Sequence, residues 1–182
     1  DAFKKGDLII VTDDADRENE GDLFILASKA TAEKVAFMVR HTTGILCVAM
    51  TQDRARHLRL PLMVEENQDS KKTAFTVSVD YKVGLTTGVS ATERAKTARA
   101  LANDIAAHSD FIRPGHVYPL IADKGGLRAR RGHTEAGVAL AQIVGAAPLT
   151  LLSEIVSEDG SMARGQSLID FATQYSIPMV SI

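Results

Sequence analysis

Short apolar runs alternate with stretches whose apolar positions recur every three or four residues, and these two periods predict strands and helices in turn. Leu8–Thr12, Leu23–Ala27, Ile45–Met50 and Ala74–Val79 are runs of strand length rich in apolar residues and bounded by polar or glycine-bearing segments. Val117–Ala122, Leu149–Val156 and Met179–Ile182 read as three further strands. Between them, Thr31 is placed to cap a helix whose Val35, Met38 and Val39 form one apolar face. Ser90 with Glu93 makes a capping box ahead of the alanine-rich Ala95–Ala107. Thr134–Val144 and Gln166–Tyr175 complete the helices. No repeat, low-complexity tract or linker divides the sequence, so the expectation is one domain over residues 1–182 with its chemistry in the polar loops.

Composition narrows the function classes. The chain has 182 residues, 45% of them hydrophobic and 24% charged, as in ordinary globular proteins. A formal net charge of -2 supplies no field for nucleic acid or an anionic membrane. No apolar run approaches the roughly 18 residues of a membrane span. Nothing at the amino end reads as a signal peptide, and the single cysteine, Cys47, cannot form an internal disulfide. A reducing, cytoplasmic setting is the expectation. Cys47 lies in Ile45-Leu46-Cys47-Val48 and reads as core packing.

Two loops carry the candidate chemistry. Residues 13–22 hold six carboxylates (Asp13, Asp14, Asp16, Glu18, Glu20, Asp22) around one arginine, Arg17. An acidic run can be a solvated turn, but this one is pinned between two apolar strands. Close carboxylate pairs cost about 4 kcal/mol at an effective dielectric near 20, which makes a bound cation a natural partner. Oxygen ligands favour magnesium or manganese over zinc, and the spacing is not that of an EF-hand. The second loop, Gly125–Ala136, runs from a glycine-rich turn into a helix. Its free N–H groups, Arg130 and the Thr134 hydroxyl suit a phosphate. A surface loop capped by Thr134 remains open as a reading. Nucleic-acid binding through Lys124, Arg128, Arg130 and Arg131 is weaker, since no aromatic residues are interleaved.

Glu154 interrupts an otherwise apolar strand and faces either water or a pocket, where it would serve as an acid or base. His116 precedes a strand in Arg113-Pro114-Gly115-His116-Val117, and Thr86-Thr87-Gly88 precedes the Ser90 cap. His41, His57 and His108 have no comparable context.

In this order the motifs resemble a known family. Asp-Arg-Glu-Asn-Glu-Gly-Asp at 16–22 and Arg-x-Gly-His-Thr-Glu-Ala at 130–136 are similar to the two signatures of the 3,4-dihydroxy-2-butanone 4-phosphate synthases. Residues 87–91, 113–117 and 160–164 are similar to other fixed segments of that family, over about residues 3–182. The resemblance implies an α+β fold, a single layered domain of mixed strands with flanking helices. It implies a homodimer with active sites near the subunit interface. It also implies conversion of D-ribulose 5-phosphate into L-3,4-dihydroxy-2-butanone 4-phosphate and formate, in riboflavin biosynthesis, with two divalent ions, Mg2+ or Mn2+.

Carried over by position, the resemblance puts Glu18 on both ions and His133 on the second. Arg17 and Asp22 would hold the sugar end. Arg130, Arg131, Gly132, His133 and Thr134 would surround the phosphate, with Thr87 of the partner subunit nearby. Glu154, His116 and Asp22 fall at positions of the catalytic machinery. Three places depart from the family pattern: Ala139 stands for a frequent aspartate, Ser153 for a frequent cysteine, and Lys71-Lys72 for a His-Gly pair. A two-metal phosphoesterase and a metal- or RNA-binding module are the competing readings.

Overall fold

The computed structural model describes all 182 residues. Its frame is a seven-stranded sheet: β1 (Ile9–Thr12), β2 (Gly21–Leu26), β3 (Cys47–Met50), β4 (Val79–Tyr81), β5 (Phe111–Ile121), β6 (Thr150–Glu154) and β7 (Met179–Ser181). The strand order is β4-β5-β3-β6-β2-β1-β7, with β1–β7 and β3–β5 parallel and the other neighbours antiparallel. The helices are α1 (Ala2–Lys5), α2 (Ala32–His41), α3 (Gln52–His57), α4 (Ala91–Leu101), α5 (His133–Ile143) and α6 (Gln166–Tyr175).

Both faces of the sheet are covered. Ile10, Leu23, Ile25, Val48 and Leu151 pack with Val35 and Met38 of α2, Ala95, Ala98 and Leu101 of α4, and Leu168 of α6. Ile9, Val11, Phe24, Leu26, Ala49 and Leu152 pack with Phe3 of α1 and with Ala136, Val138 and Ala141 of α5. Strands buried on both sides need apolar side chains at every position, which is why they read as continuous runs rather than alternations. The layered α+β expectation, mixed strands with flanking helices, therefore holds. No helix is long and apolar enough to cross a membrane.

The departures are local. The strand expected over 74–79 is instead Val79–Tyr81, and Phe75 and Thr76 make only isolated bridges to Leu120 and Leu62. Its partner β5 starts at Phe111, earlier than expected, because residues 113–116 bulge: Val79 pairs with Val117 but Asp80 pairs with Ile112. Gly115 permits this, since a Cβ there would lie 2.0 Å from the Val79 carbonyl carbon. Helix α4 stops at Leu101 rather than Ala107, where Asn103 turns the chain by accepting the Ile105 N–H at 3.2 Å. The six-residue α3, capped by Thr51, is too short to show a period.

Candidate active site

The acidic loop is the β1–β2 connection, closed at its base by the Thr12–Gly21 pair. Asp13 organises it from inside. Its buried carboxylate accepts the Glu20 N–H at 2.9 Å, the Glu18 N–H at 3.2 Å and the Arg17 guanidinium at 2.7 Å. Burial alone would raise the Asp13 pKa, but the Glu20 N–H, Arg17 and the nearby His133 outweigh it and hold the carboxyl below its usual range. Arg17 also pairs with Glu18, so the loop turns Glu18 inward beside Asp13.

Behind the loop, Asp22 on β2 sits opposite Glu154 on β6. Asp22 is 2% exposed, and its Oδ1 has no hydrogen-bond partner. Burial, then the charges of Glu154, Glu18, Glu20 and Asp13, push its pKa well above the ordinary value. His133 opens α5 and is also buried, edge-on to Phe24. Its Nε2 lies 3.0 Å from the Val11 carbonyl oxygen. A carbonyl can only accept, so Nε2 carries the proton and Nδ1 keeps its lone pair. That lone pair faces Asp22 Oδ1 at 3.7 Å and Glu18 Oε2 at 4.0 Å. Burial lowers the His133 pKa despite the opposing pull of Asp13 and Glu18, so the ring is neutral near pH 7.

A lone pair facing carboxylate oxygens, one of them orphaned, is repulsive unless a proton or a cation lies between them. One ligand atom each from Asp13, Glu18 and His133 lies within 4.8 Å of the others. The donor set is oxygen-rich with one imidazole whose far nitrogen is fixed by Val11, a common support for a metal-ligating histidine. The residues fit a divalent ion.

Glu18, Asp22 and His133 line a cavity of about 180 Å³ together with Arg17, Arg130, Thr134 and Glu154. The question left open for Glu154 is thereby answered: its carboxylate meets the cavity and accepts the Thr43 hydroxyl at 2.7 Å. Helix α5, whose His133 and Thr134 line the cavity, has Gly132 as its N-cap and no side-chain cap, so its first N–H groups are free for an anion. Arg131 lies apart, donating to the Ile182 carbonyl at 2.9 Å and pairing with Asp14 at 3.1 Å on the surface.

Thr87 and His116 do not line this cavity. The β5 bulge turns His116 onto Asp80, which accepts the His116 N–H at 2.9 Å and faces its Nδ1 at 2.7 Å. Gly88, with φ 84°, closes over the pair, and a Cβ there would lie 2.1 Å from Asp80 Oδ2. The capping box is only half formed: Ser90 Oγ accepts the Glu93 N–H at 3.2 Å, but the Glu93 carboxylate turns to Thr86. The Thr86 N–H, then the Ser90 and Thr86 hydroxyls, lower the Glu93 pKa to about 2. Sequence reasoning missed Asp80 and the separate role of Asp13. The one signal for Asp80 was a carboxylate in an otherwise uncharged stretch, Thr76–Tyr81.

A cation site beside an anion-binding helix end suits an enzyme that pairs a divalent ion with a phosphorylated substrate. The chain belongs to the 3,4-dihydroxy-2-butanone 4-phosphate synthase family, whose model matches residues 1–182. It is 47% identical to the riboflavin biosynthesis protein RibBA of Chlamydia muridarum over 97% of this chain and 42% of that protein, so it spans less than half of that relative. It is 47% identical to the 3,4-dihydroxy-2-butanone 4-phosphate synthase of Chromobacterium violaceum over 100% of this chain and 87% of that one. A crystal structure of a 3,4-dihydroxy-2-butanone 4-phosphate synthase in complex with two magnesium ions superposes with a TM-score of 0.95 at 45% identity, covering 99% of this chain and 89% of that chain.

Proposed function

We propose that residues 1–182 form a catalytic domain that converts D-ribulose 5-phosphate into L-3,4-dihydroxy-2-butanone 4-phosphate and formate, using two divalent ions, Mg2+ or Mn2+. The observation that carries this reading is the His133 Nδ1 lone pair turned toward the unpaired Asp22 Oδ1 and toward Glu18, in a cavity that also holds Arg130 and the start of α5. The relatives named above, one of them solved with two magnesium ions, support it. Glu18 and His133 hold the ions, with Asp13 fixing the loop that presents Glu18. Bound there, the ions supply electrophilic stabilisation for negative charge that develops on the sugar oxygens. Arg17 and Asp22 orient the sugar, and Arg130, Thr134 and the free N–H groups of α5 hold the phosphate. Glu154, steadied by Thr43, moves a proton between enolisation and release of formate. No oxidant or cosubstrate is required, because the two products together have the composition of the substrate.

The Asp80–His116 pair and Thr87 complete this reading through a second copy of the chain. Both groups stand outside the cavity, and the His116 side chain is 44% exposed, open to a neighbour. In a two-fold homodimer they serve the partner's cavity. Incubation with ribulose 5-phosphate and magnesium tests the activity: formate appears, stops on addition of a chelator, and returns with Mg2+ or Mn2+. Turnover in metal-free buffer contradicts the ion assignment.

A further inference from the structure

We propose that Glu135 is the positioning residue that aims Arg130 at the substrate phosphate, an inference that rests on the phosphate-cradle reading above. Glu135 is the third residue of α5, where a glutamate ordinarily folds back to cap its own helix. Here it does not. Its Oε2 accepts an N–H of Arg130 Nη1 at 2.6 Å, and its Oε1 accepts the Asp123 N–H at 2.8 Å. The side chain is 1% exposed, so both contacts are sheltered from water.

The guanidinium is gripped from three directions. Nη1 bonds Glu135, Nη2 bonds the Thr73 hydroxyl at 3.0 Å, and Nε bonds the Lys71 carbonyl at 3.2 Å. A guanidinium has five N–H donors in one rigid plane, so these bonds leave one hydrogen on each terminal nitrogen. These are donors left for a phosphate. Gly132 lets the plane lie close, since a Cβ there would stand 2.2 Å from Nη1 and 2.9 Å from Glu135 Oε2. Of the three grips only Glu135 carries charge. Without it the arginine must also be held against its entropy by two neutral acceptors on a single loop.

Diverting Glu135 has a second effect. With Gly132 at the cap and Glu135 turned away, no side chain occupies the first N–H groups of α5. The same residue that aims the arginine thus leaves the helix end free for the anion.

Titration with inorganic phosphate followed by 31P NMR, on the full chain and its variants, tests the inference. Arg130→Ala should weaken phosphate binding at least about tenfold. Glu135→Gln should weaken it about tenfold as well, and should add little in the Arg130→Ala background. On ribulose 5-phosphate, Glu135→Gln should raise KM about tenfold while kcat falls less than about threefold; a residue serving stability alone would move melting temperature and kcat instead. Wild-type phosphate affinity in Glu135→Gln, beside a loss in Arg130→Ala, overturns the positioning role and leaves the cradle standing. Equal phosphate binding by wild type and Arg130→Ala overturns the cradle and the inference together. Should Glu135→Gln not fold, Glu135→Asp draws the same carboxylate back from the guanidinium, and undiminished phosphate binding there overturns the inference.

Discussion

Asp22 and Glu154 face each other in register across β2 and β6, and one of the two, Asp22, is almost wholly buried with an oxygen that nothing satisfies. Two carboxylates so placed repel each other until a proton or a nearby cation offsets them. The unfolded Asp22 carboxyl titrates near 3.8 and the folded one well above it, so folding without metal favours the protonated form. Stability of the metal-free protein should therefore fall as pH rises from about 3.8 through the folded value. Magnesium should remove most of that slope. Asp22→Asn should stabilise the metal-free protein by about 1–3 kcal/mol and shrink the gain from magnesium. Thermal melting with and without a chelator, across this pH range, is the check. A wild-type melting temperature indifferent to magnesium contradicts it.

His116 and Glu154 should complement each other between subunits. His116→Ser and Glu154→Gln should each be nearly inactive alone. If His116 serves the partner's cavity, mixing the two variants after dissociation yields hybrid dimers with one intact site each. Recovery should approach about a quarter of wild-type activity for random pairing of closed dimers. No recovery in demonstrated hybrids would place both residues in one subunit's site.

The Glu93 carboxylate, held by the Thr86 N–H and two hydroxyls, anchors the turn that carries Thr87 and Gly88. Its pKa is lowered from 4.5 to about 2, so its contribution is complete above 4.5 and is lost as pH falls toward 2. Amide exchange at Thr86 should accelerate in Glu93→Gln at neutral pH. Exchange unchanged by that substitution contradicts the anchor.

The parts legible in the sequence are those whose signals are contiguous. Strands covered on both faces announce themselves as unbroken apolar runs, and the acidic and Gly-His-Thr-Glu loops each place their groups within a dozen residues. The remainder depends on partners brought together by the fold. Asp80 meets His116 only because β5 bulges at Gly115, and Glu135 leaves its own helix cap for Arg130 and Asp123. Local patterning predicts a capping box at Ser90, yet Glu93 finds a better set of donors at Thr86. Arg131, adjacent to Arg130, turns to the chain end instead of the cavity, a difference of direction that spacing does not encode.

Ribulose 5-phosphate turnover by wild type and by Glu154→Gln, with formate and inorganic phosphate quantified together, tests the central claim most directly. Wild type with magnesium should release formate and no inorganic phosphate. Glu154→Gln should fold, bind the sugar phosphate and release formate at least about a hundredfold more slowly, as expected when a proton-transfer group is removed without change of shape. Release of inorganic phosphate in place of formate, or wild-type formate release from the glutamine variant, would contradict the account.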